Sequence, residues 1–92
     1  MSDLSMSDAR LVLSRKALLK HDWIRDTTVL LLPERVVKLN PTGAAVLKLC
    51  DGERTVDEIV DELQLRYGDS AVEIDVITFL GDAIGRGWVE PK

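Results

Sequence analysis

Val29-Leu30-Leu31-Leu32-Pro33-Glu34-Arg35-Val36-Val37-Lys38-Leu39-Asn40-Pro41 packs a strand, a turn, a second strand and a helix start into thirteen residues. The run Val29–Leu32 is apolar and too short for a stable helix. Pro33-Glu34 ends it, because proline presets the backbone angle that a tight turn needs. From Arg35 to Leu39 the side chains alternate, with Arg35, Val37 and Leu39 on one face and Val36 and Lys38 on the other. Upstream, Leu18–Ile24 mixes apolar and polar residues around Trp23, and Arg25-Asp26-Thr27 offers a turn. Three strands joined by short turns predict an antiparallel meander over Leu18–Leu39. Asn40 is a favoured N-cap, and Pro41 fits the first helical position, where a missing N–H costs nothing.

The helices downstream follow from spacing. Ala44, Val46, Leu47, Leu49 and Cys50 make a short, mostly apolar helix that Asp51-Gly52 stops. Thr55-Val56-Asp57-Glu58 is a capping box. Val56, Ile59, Val60, Leu63 and Tyr67 then share one face, Asp57, Glu58, Asp61 and Glu62 occupy the other, and Gly68 ends the run. A third helix is predicted from Glu73 to Arg86. Its core arc holds Val72, Val76, Ile77, Phe79, Leu80, Ala83 and Ile84. Beside that arc runs a stripe of Ile74, Thr78, Gly81 and Gly85. Two helical glycines cost about 1 kcal/mol each relative to alanine, which close approach of another backbone would offset. Gly87-Trp88-Val89 supplies a last extended piece. The expected class is α+β: a winged helix-turn-helix-like domain with an N-terminal three-stranded antiparallel β-meander followed by three helices. Residues 1–14 are expected as a flexible tail and residues 15–92 as a single domain.

Composition bounds the function. Ninety-two residues at 10.2 kDa suit one domain with a thin core. At 46% hydrophobic and 30% charged the chain is ordinary for a globular protein. No apolar run approaches the roughly 20 residues of a membrane span, and no signal-peptide stretch precedes the domain, so the expected compartment is the cytoplasm. One cysteine excludes an internal disulfide and a Cys-rich metal site, and one histidine excludes most His-based catalysis. Residues 1–39 hold seven Lys/Arg against five Asp/Glu, a net of +2. Residues 40–92 hold five against eleven, a net of −6. That asymmetry suits a polypeptide partner better than a nucleic acid.

Phosphate-binding glycine loops, G-x-S-x-G and H-E-x-x-H are all absent from the sequence. Cys50 reads as a small core filler rather than a nucleophile. His21 has no sequence-near partner and reads as solvated or packed. Asp57, Glu58, Asp61 and Glu62 read as a solvated face rather than a metal site. Trp23 and Trp88 read as packing anchors. No catalytic residue, metal or cofactor is expected. One feature leans towards binding: Val29–Leu32 is central in the meander, which leaves Arg35–Leu39 as an edge able to accept a peptide strand. The alternative is that Leu18–Ile24 or a second subunit covers it.

The segment Leu31–Asn40 resembles the PqqD family, the small peptide chaperones of pyrroloquinoline quinone (PQQ) biosynthesis. The likeness continues through Ala44-Ala45-Val46-Leu47, Cys50-Asp51-Gly52-Glu53-Arg54-Thr55, Glu58-Ile59-Val60, Asp75-Val76 and Phe79-Leu80. It closes at Arg86-Gly87-Trp88-Val89. The resemblance implies a non-enzymatic recognition domain that binds the ribosomally made precursor peptide PqqA. It further implies presentation of that peptide to PqqE, a radical S-adenosylmethionine enzyme that cross-links a glutamate and a tyrosine within it. It implies strand addition to Arg35, Val36, Val37, Lys38 and Leu39, against a helix wall of Ile74, Ile77, Thr78, Gly81 and Gly85. Arg35 and Lys38 are then candidates to meet acidic peptide residues, and the acidic second helix to dock the enzyme.

Three rivals stay open. A recognition domain of the same fold for another peptide-modifying pathway differs only in its pockets. A DNA-binding winged helix is disfavoured by charge: Glu73–Arg86 carries a net of −2 and Thr55–Tyr67 a net of −3. An enzyme built on Cys50 would lose activity in Cys50→Ala. The chain is expected as a monomer or homodimer.

Overall fold

The computed structural model describes residues 8–68 and 72–92. Among them are six strands and three helices: β1 (Arg10–Leu13), β2 (Leu18–Asp22), β3 (Thr27–Leu31), β4 (Val36–Leu39), α1 (Pro41–Lys48), β5 (Asp51–Thr55), α2 (Val56–Tyr67), α3 (Val72–Gly85) and β6 (Val89–Pro91). The strands form two antiparallel sheets, β2-β3-β4 and β5-β1-β6.

The first sheet is the meander that the sequence predicts. Pro33-Glu34 reverses the chain tightly, so that Leu32 and Arg35 exchange both backbone hydrogen bonds, at 2.9 and 3.3 Å. Register then runs without a slip from Leu31↔Val36 to Thr28↔Leu39. The other hairpin turns earlier than expected. Strand β2 stops at Asp22, whose Oδ1 accepts the N–H groups of Ile24 and Arg25 at 3.1 and 3.3 Å. Asp26 takes a left-handed φ of +52°, which aspartate tolerates in turns. Trp23 therefore sits in the turn rather than in the strand, 84% exposed, and is no packing anchor. Trp88 is buried as expected.

The second sheet was not legible as a sheet, and the arrangement is more than a meander followed by three helices. Arg10–Leu13 falls within the stretch expected as a tail, yet it is the central strand β1, paired to both β5 and β6. Leu11 is 1% exposed. The reason is hydrophobic: Leu11 is buried in one core cluster with residues contributed much later in the chain. Residues 1–7 of that expected tail lie outside the described residues. Strand β5 is the polar segment Asp51–Thr55, read in the sequence only as a helix stop and a cap. The cap forms as well, because Thr55 ends the strand and caps α2, but α1 ends earlier than expected, at Lys48 with Leu49 as its C-cap.

The caps form where expected. The Gly43 N–H donates to Asn40 Oδ1 at 2.7 Å, with Pro41 at the start of α1. In the capping box the Thr55 N–H donates to Glu58 Oε1 at 2.8 Å and the Glu58 N–H to Thr55 Oγ1 at 3.2 Å. Gly68 closes α2 in a left-handed conformation, φ +68°. The core gathers Leu11, Leu30, Leu39, Val46, Leu47, Val56, Ile59 and Leu63 around Val76, Leu80 and Ala83 of α3. Tyr67, expected on the core face of its helix, is half-exposed at the C-terminus of α2.

Candidate functional site: an open strand edge beside a helix

Strand β4 ends its sheet, and among the described residues nothing pairs with its outer edge. Strand β2 lies at the far side of the sheet and does not cover it. Which backbone groups face outward follows from the turn. Leu32 and Arg35 are a hydrogen-bonded pair, and bonded and non-bonded pairs alternate along an antiparallel ladder. Leu30↔Val37 and Thr28↔Leu39 are therefore bonded pairs, whereas Leu31↔Val36 and Val29↔Lys38 are not. The N–H and C=O of Val36 and Lys38 consequently point away from the sheet. Those of Arg35, Val37 and Leu39 are already used.

Two open clefts join the ends of this edge strand to helix α3 and to the segment that follows it. One cleft, about 600 Å³, joins Asn40, Thr42 and Gly43 to Asp75, Thr78, Phe79 and Asp82. The other, about 460 Å³, joins Lys16 and the Leu32–Arg35 turn to Arg86, Gly87 and Trp88. The start of β4 thus lies near the end of α3, and the end of β4 near its middle. Gly43 permits the close approach of the two helices. A Cβ there would stand 3.1 Å from both Asn40 Oδ1 and a Phe79 ring carbon. Arg86 Nε donates to Asp82 Oδ2 at 2.8 Å, and its guanidinium lies 5.4 Å from the centre of the Trp88 ring.

The helix wall expected from the sequence divides. Thr78 lines the cleft, Ile77 is half-buried against the core, and Ile74, Gly81 and Gly85 lie on the exposed side of α3. Among the described residues nothing lies within 4 Å of a Cβ built at Gly81 or Gly85, so no close approach within the chain offsets these glycines. The close approach is at Gly43 instead. Asp75, Phe79, Asp82, Arg86 and Asn40 line the clefts and were not singled out as site residues. The i, i+4, i+7 spacing of Asp75, Phe79 and Asp82 on α3, at the border of the apolar arc, was the available signal.

The other candidates resolve simply. Burial, and secondarily the neighbouring Asp51 carboxylate, push the Cys50 thiol up to about 12. Its Sγ–H donates to the Val46 carbonyl at 3.4 Å. His21 makes 3.2 Å contacts to Thr28 Oγ1 and Asp26 Oδ1. Asp57, Glu58 and Asp61 are exposed along α2, and Glu62 accepts from Arg54 Nε at 3.2 Å. No cluster of three or more potential metal ligands occurs among the described residues. No helix among them is long and apolar enough to cross a membrane.

Residues 27–89, which include the edge strand, all three helices and the Trp88 segment, match the model for PqqD, coenzyme PQQ synthesis protein D. The chain belongs to the PqqD family. Among its relatives, a PqqA binding protein of Methylococcus capsulatus is 39% identical over 80 residues, covering 85% of this chain and 86% of that protein. The PqqA binding protein of Bradyrhizobium diazoefficiens is 40% identical over 89 residues, covering 94% and 86%. In structure the chain is similar to the PqqD truncation of Methylobacterium extorquens PqqCD, a stand-alone recognition element for ribosomally synthesized and post-translationally modified peptides. The TM-score is 0.76 at 34% identity, covering 96% of this chain and 95% of that one. A PqqD fold with two small sheets and three helices is therefore what positions the edge and its flanking clefts.

Proposed function

We propose that this protein binds the precursor peptide PqqA as an added strand on the outer edge of β4 and presents it to the radical S-adenosylmethionine enzyme PqqE. It does so in the cytoplasm and without catalysing a reaction itself. The single observation that carries this reading is the pair of residues, Val36 and Lys38, whose backbone donors and acceptors face outward beside α3. An extended peptide satisfies those groups whatever its side chains, each hydrogen bond contributing a net of about 0.5–1.5 kcal/mol. Selection among peptides then falls to the side chains around the strand. Relatives named PqqA binding proteins support the identity of the client.

In this reading the domain is a winged helix-turn-helix variant turned from duplex to peptide. The acids Asp57, Glu58 and Asp61 on α2 and Asp75 and Asp82 on α3 repel a phosphate backbone. The acidic outer face of α2 is then free to meet the enzyme. Tethering raises the effective concentration of the reacting segment, with no chemistry needed on this chain. A heteronuclear NMR titration of labelled protein with synthetic PqqA tests the proposal. The expected perturbations fall on Val36–Leu39 and on Thr78 and Phe79. Binding that leaves β4 unperturbed refutes the edge, and no binding at high micromolar peptide refutes the client.

A further inference from the structure

The outer face of the meander carries two cross-strand rows that stop at β4. Leu18 pairs with Leu31 and Leu31 with Val36, giving an apolar row. Leu18 and Val36 at its two ends are each 60% exposed. One step along the strands, Lys20 pairs with Val29 and Val29 with Lys38, giving a row flanked by two exposed cations. Among the described residues neither lysine lies within ion-pairing distance of a carboxylate. In a sheet, residues directly opposite each other on adjacent strands share a face and interact, opposite charges favourably and like charges unfavourably.

Val36 and Lys38 are also the two residues whose backbone groups face the open edge. Whatever strand is added there must place one residue beside each, on this same face. We propose that these rows read the client: the bound peptide carries an apolar side chain beside Val36 and a carboxylate beside Lys38, two positions apart in its sequence. The residue between them turns to the other face, towards α3. An incoming strand that runs in either direction keeps this spacing, because side-chain period in a strand is two. A slip by one residue would carry both side chains off the outer face, so the same pair of contacts also fixes register. Arg35 takes no part in these rows, since its side chain belongs to the opposite face with Val37 and Leu39.

The inference rests on strand addition at β4 and is tested so that the two can fail separately. Affinity is measured for wild-type and Lys38→Glu protein against synthetic PqqA and a set of variants in which each acidic residue is singly replaced by lysine. Lys38→Glu is expected to weaken wild-type peptide several-fold. One acid-to-lysine peptide, and one only, should bind Lys38→Glu better than it binds wild type. An apolar residue two positions from that acid should then lose several-fold when changed to aspartate, a loss that Val36→Lys reduces. If Val36→Pro blocks binding but no peptide rescues Lys38→Glu, the reading of the client by these rows is wrong while strand addition survives. If Val36→Pro leaves affinity unchanged, strand addition at this edge is wrong and the proposal falls with it.

Discussion

Replacing Val36 and Val37 by proline, one at a time, sets two adjacent residues of β4 against each other. The Val36 N–H faces the open edge, so Val36→Pro removes a donor that the isolated protein does not use within the sheet, and proline is tolerated on such an edge. Fold and thermal midpoint should stay close to those of Val36→Ala, the control for the lost side chain. Binding should not. One lost hydrogen bond of about 0.5–1.5 kcal/mol weakens the peptide roughly 2- to 13-fold, and the ring, seated where the incoming carbonyl belongs, adds to that. Val37→Pro has the reverse profile. It removes the donor to Leu30, whose backbone lies in the central strand of a fully buried position. An orphaned buried carbonyl costs about 1–3 kcal/mol. In a domain of this size that lowers the midpoint by roughly 4–24 °C. Circular dichroism melts and fluorescence anisotropy with labelled peptide read the two effects. Val36→Pro binding within twofold of Val36→Ala, or Val37→Pro melting at the wild-type temperature, would refute the assignment of which groups face out.

Four further tests address other parts of the molecule. Gly81→Ala and Gly85→Ala should each stabilise the protein by about 0.5–1 kcal/mol, because both lie in an exposed helix with open space at Cβ. Denaturant melts read the stability gain, peptide affinity read by titration of the folded variants should be unchanged, and a drop in affinity would put the peptide on the outward side of α3. With its thiol pushed up to about 12, Cys50 is only about one part in 10⁴ thiolate at pH 8, so iodoacetamide should modify it in guanidinium and not in the native protein. Thr55→Ala should cost about 1 kcal/mol through the lost cap of α2. The Glu58 carboxyl is held below the usual range, chiefly by the Thr55 backbone N–H. Its contribution is therefore complete above the ordinary glutamate value of about 4.3 and is lost as pH falls through the lower folded value. The difference in thermal midpoint between wild type and Glu58→Gln should accordingly shrink in acid, and a gap that widens there would contradict the assignment.

What could be read from the chain was whatever depends on neighbours in sequence. Pro33-Glu34, Asn40-Pro41 and Thr55–Glu58 each act within four residues, and each turn or cap formed where the residues placed it. Strand β1 depends on residues about 40 and 80 positions away, and four residues with a single buried leucine carry no local sign of that. Strand β5 is hidden for a different reason. Its outward residues Asp51 and Glu53 are polar, and the segment looks like a linker. The same division explains the site. The edge strand was legible as a candidate because the meander is local, and the sheet order β2-β3-β4 is what removes Leu18–Ile24 as its cover. Which face of α3 turns to it was not, because helical periodicity separates buried from exposed but cannot say which part of the exposed side borders another element. Gly81 and Gly85 looked like the contact because glycine in a helix needs a reason. The helix actually approaches through Phe79, and the glycine that yields to it is Gly43, one element away. The close approach between α1 and α3 is thus recorded in the sequence of α1, and the two exposed glycines of α3 have open space beside them in the chain itself.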